Sequence, residues 1–354
     1  MSIVHQWHSD EPLPLASGEE LGEVVLSYTT LGTLAADGAN VVWIFHPLTC
    51  SSNVTEWWPE IVGTGRLLDP AHFFIVCVDS PGSCHGSTGP QSAMPGQERR
   101  YGLRFPDLSM RDVVGCYDRL RRTLGIDRIL LGIGGSYGGQ QLFEWLAQAP
   151  DLFELACVIG ASDAQSPWAI AFNETQRMAL RADPGFGQEY DGAGQRGLAA
   201  ARALAVLSYR SSRLYADTQS GRVTGQAGYR AAAYQQHVGA RFTRRFDACS
   251  YWALTRIMDS HDVLRHRGTR DSVLGRIRTH CLLIALRDDV LFPVDEVFSP
   301  EAALPHVACH VLECDHGHDS ILTHQMDIAA QVSRVLAPLA VLRRLRTLRH
   351  EIPA

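Results

Sequence analysis

The fold of this chain is decided by one short stretch, Gly132-Ile133-Gly134-Gly135-Ser136-Tyr137-Gly138-Gly139. The apolar run from Ile129 to Ile133 predicts a strand entering it, and residues 140–148 have the apolar period of a helix leaving it. Gly134-x-Ser136-x-Gly138 is the pattern of a nucleophile elbow, a strand-to-helix turn that exposes a serine hydroxyl at the edge of a sheet. The glycines are expected because side chains there would collide with the strand and the helix.

Two other interpretations fit part of this stretch. Gly132-x-Gly134 begins a dinucleotide-binding fingerprint, but Tyr137 occupies the third glycine position, where its side chain would block packing over a pyrophosphate. A glycine-rich turn without chemistry is the other alternative. This second alternative is excluded only if an acidic residue and a histidine follow later strands of the predicted sheet.

Composition limits the class of protein. The 354 residues suffice for one large α/β domain with an insertion, and 45% apolar with 20% charged residues is ordinary for a globular protein. A net charge of -6 argues against a nucleic-acid surface. No apolar run has the length of about 18 residues that a membrane helix needs, and the N-terminus lacks the features of a signal peptide. We therefore expect a soluble cytoplasmic protein without nucleic-acid or membrane partners.

All 32 basic residues are arginine, because the sequence contains no lysine. Schiff-base chemistry and a Walker phosphate loop both need a lysine and are excluded. The nine cysteines are an odd number without a Cys-x-x-Cys pair, which favours free thiols in a reducing compartment.

Two early runs of β-branched and aromatic residues, Val24 to Thr30 and Val41 to Phe45, are separated by turn signals and predict a hairpin. The second run ends in His46-Pro47-Leu48-Thr49-Cys50. A loop at this place can supply a backbone amide to an oxyanion hole, here that of Leu48. An ordinary exit from a strand is the alternative.

Further apolar runs alternate with helical patterns. Strands are predicted at residues 73–78, 129–133 and 155–160, and a helix at residues 108–124. This alternation indicates a mostly parallel central sheet with helices on both faces.

The alternation stops after Gly160. Residues 162–270 show helix-like segments and no clear buried strand, which predicts a helical lid inserted into the core. Strand patterns resume at residues 281–286 and 308–312. The predicted organisation is therefore a core of residues 1–161 and 271–354 around a lid of residues 162–270.

An acid and a base follow the late strands. Arg287-Asp288-Asp289 comes after one, and we prefer Asp289 as the acid because Asp288 would more easily face solvent. His318 lies in the loop after the last strand. The order Ser136, Asp289, His318 is that of the α/β-hydrolase triad, with the amides of Tyr137 and Leu48 as oxyanion donors.

The sequence His316-x-His318-Asp319 also offers metal ligands. No second cluster with ligand spacing appears elsewhere, and zinc would need a further donor from a distant loop. We predict no metal and no bound cofactor.

With these residues in place, the chain resembles the homoserine O-acyltransferase family of α/β-hydrolase fold. The likeness extends from about Val41 to His324. The segments that carry it are His46-Pro47-Leu48-Thr49, Gly86-Ser87-Thr88-Gly89-Pro90, Gly134-Gly135-Ser136-Tyr137-Gly138-Gly139, Ala171-Phe172-Asn173-Glu174, Arg245-Phe246-Asp247-Ala248-Cys249-Ser250-Tyr251, Asp289-Val290-Leu291-Phe292-Pro293 and Gly317-His318-Asp319.

The resemblance implies a ping-pong reaction of methionine biosynthesis. Ser136 would take an acetyl group from acetyl-CoA, the co-substrate, and L-homoserine would accept it. Arg210 would bind the carboxylate of this amino acid, for which a planar guanidinium is suited, and Asp319 its ammonium. The resemblance also implies a homodimer formed through the lid.

The chain departs from the family pattern at three positions. Tyr137 and Gln140 stand where methionine is usual, and Cys50 stands where glycine is usual. The side chains of Tyr137 and Cys50 are expected to reshape the acyl or acceptor site. Transfer to serine, use of succinyl-CoA, hydrolysis by an esterase or thioesterase, and a protein that only binds therefore remain alternatives.

Overall fold

The structure is a computed structural model that describes residues 3–223 and 228–350, with the side chains of residues 338–350 outside the description. The strands are β1 Ile3–His8, β2 Leu13–Pro14, β3 Glu20–Leu21, β4 Val25–Leu31, β5 Val41–Phe45, β6 Phe74–Val78, β7 Ile129–Gly135, β8 Phe153–Ile159, β9 His280–Leu286 and β10 Val307–Leu312. The α-helices are α1 Val54–Trp57, α2 Met110–Thr123, α3 Tyr137–Gln148, α4 Pro167–Arg181, α5 Gln195–Tyr209, α6 Ser212–Gln219, α7 Arg230–Phe242, α8 Ala248–Asp259, α9 Arg270–Leu274, α10 Val294–Phe298, α11 Ser320–Thr323 and α12 Gln325–His350.

Eight strands form one sheet in the order β1-β4-β6-β5-β7-β8-β9-β10. Pairing is parallel from β6 to β10, whereas β4 pairs antiparallel with both β1 and β6. This confirms the mostly parallel sheet. The predicted hairpin of β4 and β5 is wrong, because β6 lies between these two strands and pairs with each of them.

Helices cover both faces of the sheet, as the alternating pattern predicted. On one face, Trp43 of β5 packs edge-on against Trp145 of α3, with ring centroids 5.0 Å apart. On the other face, the fully buried Trp58 donates its indole N–H to the carbonyl of Ile321 at 2.9 Å. Two apolar layers therefore enclose the sheet, which explains why its central strands are buried throughout.

The segment predicted as a lid contains helices α4 to α8 and, in its described part, no strand of the sheet. Three of its helices begin at side-chain caps: Ser166 accepts the amide of Ala169 at α4, Ser211 that of Leu214 at α6, and Asp247 that of Ser250 at α8. Among the described helices of the chain, none is long and apolar enough to cross a membrane.

The parallel strands bring several loops to one edge of the sheet. The loops that follow β5, β6, β7, β9 and β10 begin at the carboxyl ends of neighbouring strands. In open α/β sheets, ligands bind outside this edge. The predicted triad and oxyanion residues all lie just after these strands, whereas Arg210 follows the inserted helix α5.

Candidate active site

Ser136 lies in the sharp turn between β7 and α3. Its φ of 56° and ψ of -127° place it in a region that residues other than glycine rarely adopt. A Cβ atom on Gly138 would lie 2.2 Å from the carbonyl oxygen of Phe45, and one on Gly134 would lie 2.6 Å from the backbone of Gly138. The two glycines are therefore required by close backbone contact, and Ser136 sits at the start of α3.

His318 and Asp289 form a buried pair. Nδ1 of His318 lies 2.6 Å from Oδ2 of Asp289, and a carboxylate only accepts, so Nδ1 carries the hydrogen. The other carboxylate oxygen, Oδ1, accepts the amides of Leu291 at 2.8 Å and Phe292 at 3.0 Å. The Phe292 ring stacks on the imidazole with centroids 5.4 Å apart. Asp289 is thus fixed in position and orients His318, while Asp288 is half-buried.

The turn at Ser136 and the His318 loop lie side by side. A Cβ on Gly135 would meet the side chain of Ile321 at 2.7 Å, and one on Gly160 would lie within 3.5 Å of the His318 ring. Nε2 of His318 is buried and has no hydrogen-bond partner in the described part of the chain, Ser136 included. This nitrogen is therefore free to accept a proton. Such contacts are often loose without substrate and tighten when it binds.

The two amides predicted for the oxyanion hole belong to Leu48 and Tyr137. Tyr137 is the first residue of α3, where backbone amides have no partner within the helix. Leu48 is buried in the loop after β5. This loop is held by His46, whose pKa is lowered to about 4 by complete burial. His46 is consequently neutral in the working range of most enzymes.

The side chain of Tyr137 does not reshape an open pocket, contrary to expectation. Its ring is fully buried and its hydroxyl lies 2.8 Å from Oγ of Ser80. Burial raises the pKa of this phenol to about 12. The ring is therefore part of the hydrophobic core, with its hydroxyl next to Ser80.

Cys50 is a further departure from the family pattern, and its sulfur lies close enough to Arg245, Arg202 and Asp319 to be affected by their charges. Its side chain is half-buried, and desolvation by burial raises the pKa of the thiol to about 12, against the opposing charges of Arg245 and Arg202. A neutral thiol is a poor nucleophile. The Cys50 thiol is therefore neutral near pH 7 and a poor nucleophile.

Arg210 and Asp319 form an ion pair beside His318. Nε of Arg210 lies 2.8 Å from Oδ2 of Asp319, and both side chains are partly exposed. The guanidinium also lies 5.1 Å from the ring centroid of Tyr234. The two residues predicted to bind an amino acid are therefore adjacent, which sequence alone did not predict.

Two further arginines, Arg202 and Arg245, were missed by sequence reasoning. Their guanidinium carbons lie 4.8 and 5.0 Å from the centroid of the Phe242 ring, and Arg245 donates to the carbonyl of Thr49 at 2.7 Å. Burial and the charge of Arg202 lower the pKa of Arg245. In the described residues, no carboxylate lies within 4.0 Å of either arginine. The pair is thus an anion-binding candidate.

The histidines of the His-x-His sequence point to different partners. His318 pairs with Asp289, whereas Nδ1 of His316 lies 2.8 Å from Oγ1 of Thr323. The described residues contain no group of three or more side chains able to hold a metal ion. The donor set at this loop accordingly does not fit a metal.

Comparison with known proteins agrees with this geometry. A family model for the alpha/beta hydrolase fold matches residues 40–325. The homoserine O-acetyltransferase of Cyclobacterium marinum is 38% identical over 316 residues, which cover 89% of this chain and 90% of the relative.

Solved structures show the same architecture. The homoserine O-acetyltransferase of Staphylococcus aureus matches with a TM-score of 0.79 and 28% identity, covering 95% of both chains. Esterase E22 matches with a TM-score of 0.87 at 21% identity, over 94% of this chain and 99% of the esterase, which shows the fold alone. From the sequence identity and the shared fold, the chain belongs to the homoserine O-acetyltransferase family of alpha/beta hydrolase enzymes.

Proposed function

We propose that this enzyme transfers an acetyl group from acetyl-CoA to the hydroxyl of L-homoserine through an acetyl-Ser136 intermediate. The observation that carries the proposal is the buried His318–Asp289 pair, at 2.6 Å, next to the strained turn of Ser136. Membership in the homoserine O-acetyltransferase family supports the choice of acyl group and acceptor.

In the first half-reaction, Oγ of Ser136 attacks the thioester carbonyl carbon while Nε2 of His318 takes the hydroxyl proton. The tetrahedral oxyanion accepts hydrogen bonds from the amides of Leu48 and Tyr137. The carbon–sulfur bond then breaks, and His318 returns its proton to the departing sulfur, releasing CoA. Asp289 stabilises the imidazolium that exists between these steps.

In the second half-reaction, the acceptor hydroxyl gives its proton to His318 and its oxygen attacks the acetyl carbon. The bond to Ser136 breaks, and His318 protonates the serine oxygen. The product is an O-acetyl amino acid, and the enzyme returns to its first state. Water must be kept from the acetyl-serine, which is the role we propose for the helices of residues 162–270.

The acceptor is proposed to bind by exchange with the Arg210–Asp319 ion pair. A zwitterionic amino acid places its carboxylate on Arg210 and its ammonium on Asp319, so each charge stays compensated. Arg202 is the second candidate for the carboxylate, because it lacks a carboxylate partner among the described residues and lies 5.3 Å from the Tyr209 ring, which is next to His318.

The test is release of free CoA with acetyl-CoA alone, with homoserine added, and with serine added. Release that depends on homoserine supports the proposal. Succinyl-CoA in place of acetyl-CoA tests the donor. Consumption of acetyl-CoA at the same rate without any acceptor would show a thioesterase instead.

We also propose a cytoplasmic homodimer that associates through the lid helices. Support comes from three large apolar side chains on α4 and α5, each more than half exposed: Trp168 at 53%, Met178 at 57% and Leu207 at 51%. Sedimentation velocity of the wild type and a Trp168→Glu, Met178→Glu variant tests this assembly. A monomeric wild type would contradict it.

A further inference from the structure

The peptide group between Pro47 and Leu48 is held by two hydrogen bonds to its carbonyl. Nδ1 of His46 lies 2.8 Å from the carbonyl oxygen of Pro47, and the amide of Cys50 donates to the same oxygen at 2.9 Å. A trans peptide is planar, and its C=O and N–H point in opposite directions. Holding the Pro47 carbonyl therefore fixes the direction of the Leu48 N–H.

The second nitrogen of His46 determines which tautomer holds this carbonyl. The amide of Ser80 donates to Nε2 of His46 at 3.0 Å, and a backbone N–H can only donate. Nε2 must then carry the lone pair and Nδ1 the hydrogen. His46 is fully buried, so water does not compete for either nitrogen. A carbonyl that accepts a hydrogen bond also polarises its own peptide, which strengthens the N–H of Leu48 as a donor.

The loop is fastened at its other end as well. The amide of Ser52 lies 2.6 Å from Oδ1 of Asp79, and its hydroxyl lies 2.8 Å from Oδ2. Asp79 and Ser80 both follow β6, the strand next to β5. Residues 46–52 are thus tied to the exit of the neighbouring strand at both ends, and the imidazole is the tie nearest to Leu48.

We propose that His46 is a positioning residue that aims and polarises the Leu48 amide toward the oxyanion. The inference rests on the proposed function, because it takes the Leu48 N–H as one oxyanion donor. It adds a requirement: the imidazole must donate from Nδ1 and need not transfer any proton. Loss of this bond should slow the acylation step and leave substrate binding unchanged, because the oxyanion forms only in the transition state.

Two substitutions separate the two nitrogens of His46. The side-chain amide of asparagine reaches the place of Nδ1, so His46→Asn retains a donor to Pro47. Glutamine reaches the place of Nε2, so His46→Gln retains the contact with Ser80 and loses that donor. A matched control is His306→Asn, which changes an exposed histidine at the far edge of the sheet.

The measurement is the pre-steady-state acylation of Ser136 by 4-nitrophenyl acetate, an ester that needs neither CoA nor an amino acid. We expect His46→Asn to stay within about threefold of the wild type and His46→Gln to be about 10- to 100-fold slower in the acylation rate constant, with an unchanged half-saturating ester concentration. Wild-type acylation rate constants in both variants, or the same reduction in both, would overturn the proposal.

A measurement on the wild-type protein covers the case in which a variant does not fold. Nitrogen-15 shifts of the histidine rings should identify His46 as the neutral Nδ1–H tautomer. Finding hydrogen on Nε2 would overturn the inference. Failure of the proposed function is a separate outcome, since it would appear as acetyl-Ser136 that forms normally and is not discharged by homoserine.

Discussion

Nε of Arg210 lies 2.8 Å from Oδ2 of Asp319, so an ion pair joins the end of α5 to the loop that carries His318. A second contact supports this junction, since the hydroxyl of Ser211 donates to the carbonyl of Asp315. The Tyr209 ring lies 5.7 Å from the His318 ring. The proposed acceptor site is therefore built from the same residues that connect the inserted helices to the base.

We expect Arg210→Ala to raise the KM for homoserine and to leave acetylation of Ser136 unchanged. A charged hydrogen bond to a carboxylate contributes about 1.5–3 kcal/mol, which corresponds to roughly 10- to 100-fold in KM. Steady-state kinetics give the KM for homoserine, and burst kinetics give the rate of Ser136 acetylation. Arg213→Ala, an exposed arginine three residues along the chain, is the control. If Arg202→Ala raises KM and Arg210→Ala does not, the carboxylate binds Arg202 instead.

We expect Asp289→Asn to reduce the rate of acyl-enzyme formation by roughly 10³- to 10⁴-fold. The asparagine cannot hold the Nδ1–H tautomer of His318 or stabilise its imidazolium. The neighbouring Asp288→Asn should have nearly wild-type rates, because in the described part of the chain the imidazole forms its ion pair with Asp289 and none with Asp288. Stopped-flow acylation of both variants is the measurement, and equal losses would show that Asp289 has no special role.

We expect Gly138→Ala to destabilise the protein by about 4 kcal/mol or more, or to prevent folding. Its Cβ would lie 2.2 Å from the carbonyl oxygen of Phe45, and no rotamer change relieves a contact between backbones. Gly115→Ala in the middle of α2 has nothing within 4 Å of the new Cβ and should gain about 0.5–1 kcal/mol. Urea unfolding of both variants checks the contrast. A stable Gly138→Ala variant would mean that the backbones of Gly138 and Phe45 are not in close contact.

We expect part of the acid sensitivity of folding to come from His46. Burial lowers its pKa from 6.5 in the unfolded chain to about 4. Below about pH 6.5 the unfolded state therefore binds a proton that the folded state does not, and stability falls until the pH reaches the folded pKa. Between about pH 7 and pH 5 this removes about 2 kcal/mol.

The corresponding measurement is urea unfolding at these two pH values for the wild type and His46→Asn. Because asparagine does not titrate, the variant should lose about 2 kcal/mol less than the wild type over the same interval. Identical pH dependence in the two proteins would show that His46 keeps its ordinary pKa in the folded state.

The sequence predicted those features that depend on local pattern. The run Ile129 to Ile133 and the glycines around Ser136 predict a strand, a turn and a helix within a few residues, and β7 and α3 follow that prediction. The mostly parallel sheet follows in the same way from alternating strands and helices. The pairing of β4 with β6 was not predictable, because a partner more than 40 residues along the chain displaced the nearer strand β5.

Contacts between side chains far apart in the sequence could not be predicted from it. Arg210 and Asp319 are separated by 109 positions, and their ion pair exists only because α5 ends beside the loop after β10. The direction of the Tyr137 side chain could not be predicted either. The backbone amide of Tyr137 lies at the start of α3, whereas its ring is buried in the core with the hydroxyl against Ser80. No local sequence pattern pairs Arg202 with Arg245, which are 43 positions apart, and their common contact with the Phe242 ring is visible only in the structure.

The most direct test of the central claim is peptide mass mapping of the enzyme after brief exposure to acetyl-CoA, before and after addition of homoserine. The account predicts one acetyl group on the peptide that contains Ser136, absent from Ser136→Ala and removed within the turnover time when homoserine is added. An enzyme that releases CoA with homoserine while Ser136 never carries the acetyl group would contradict it.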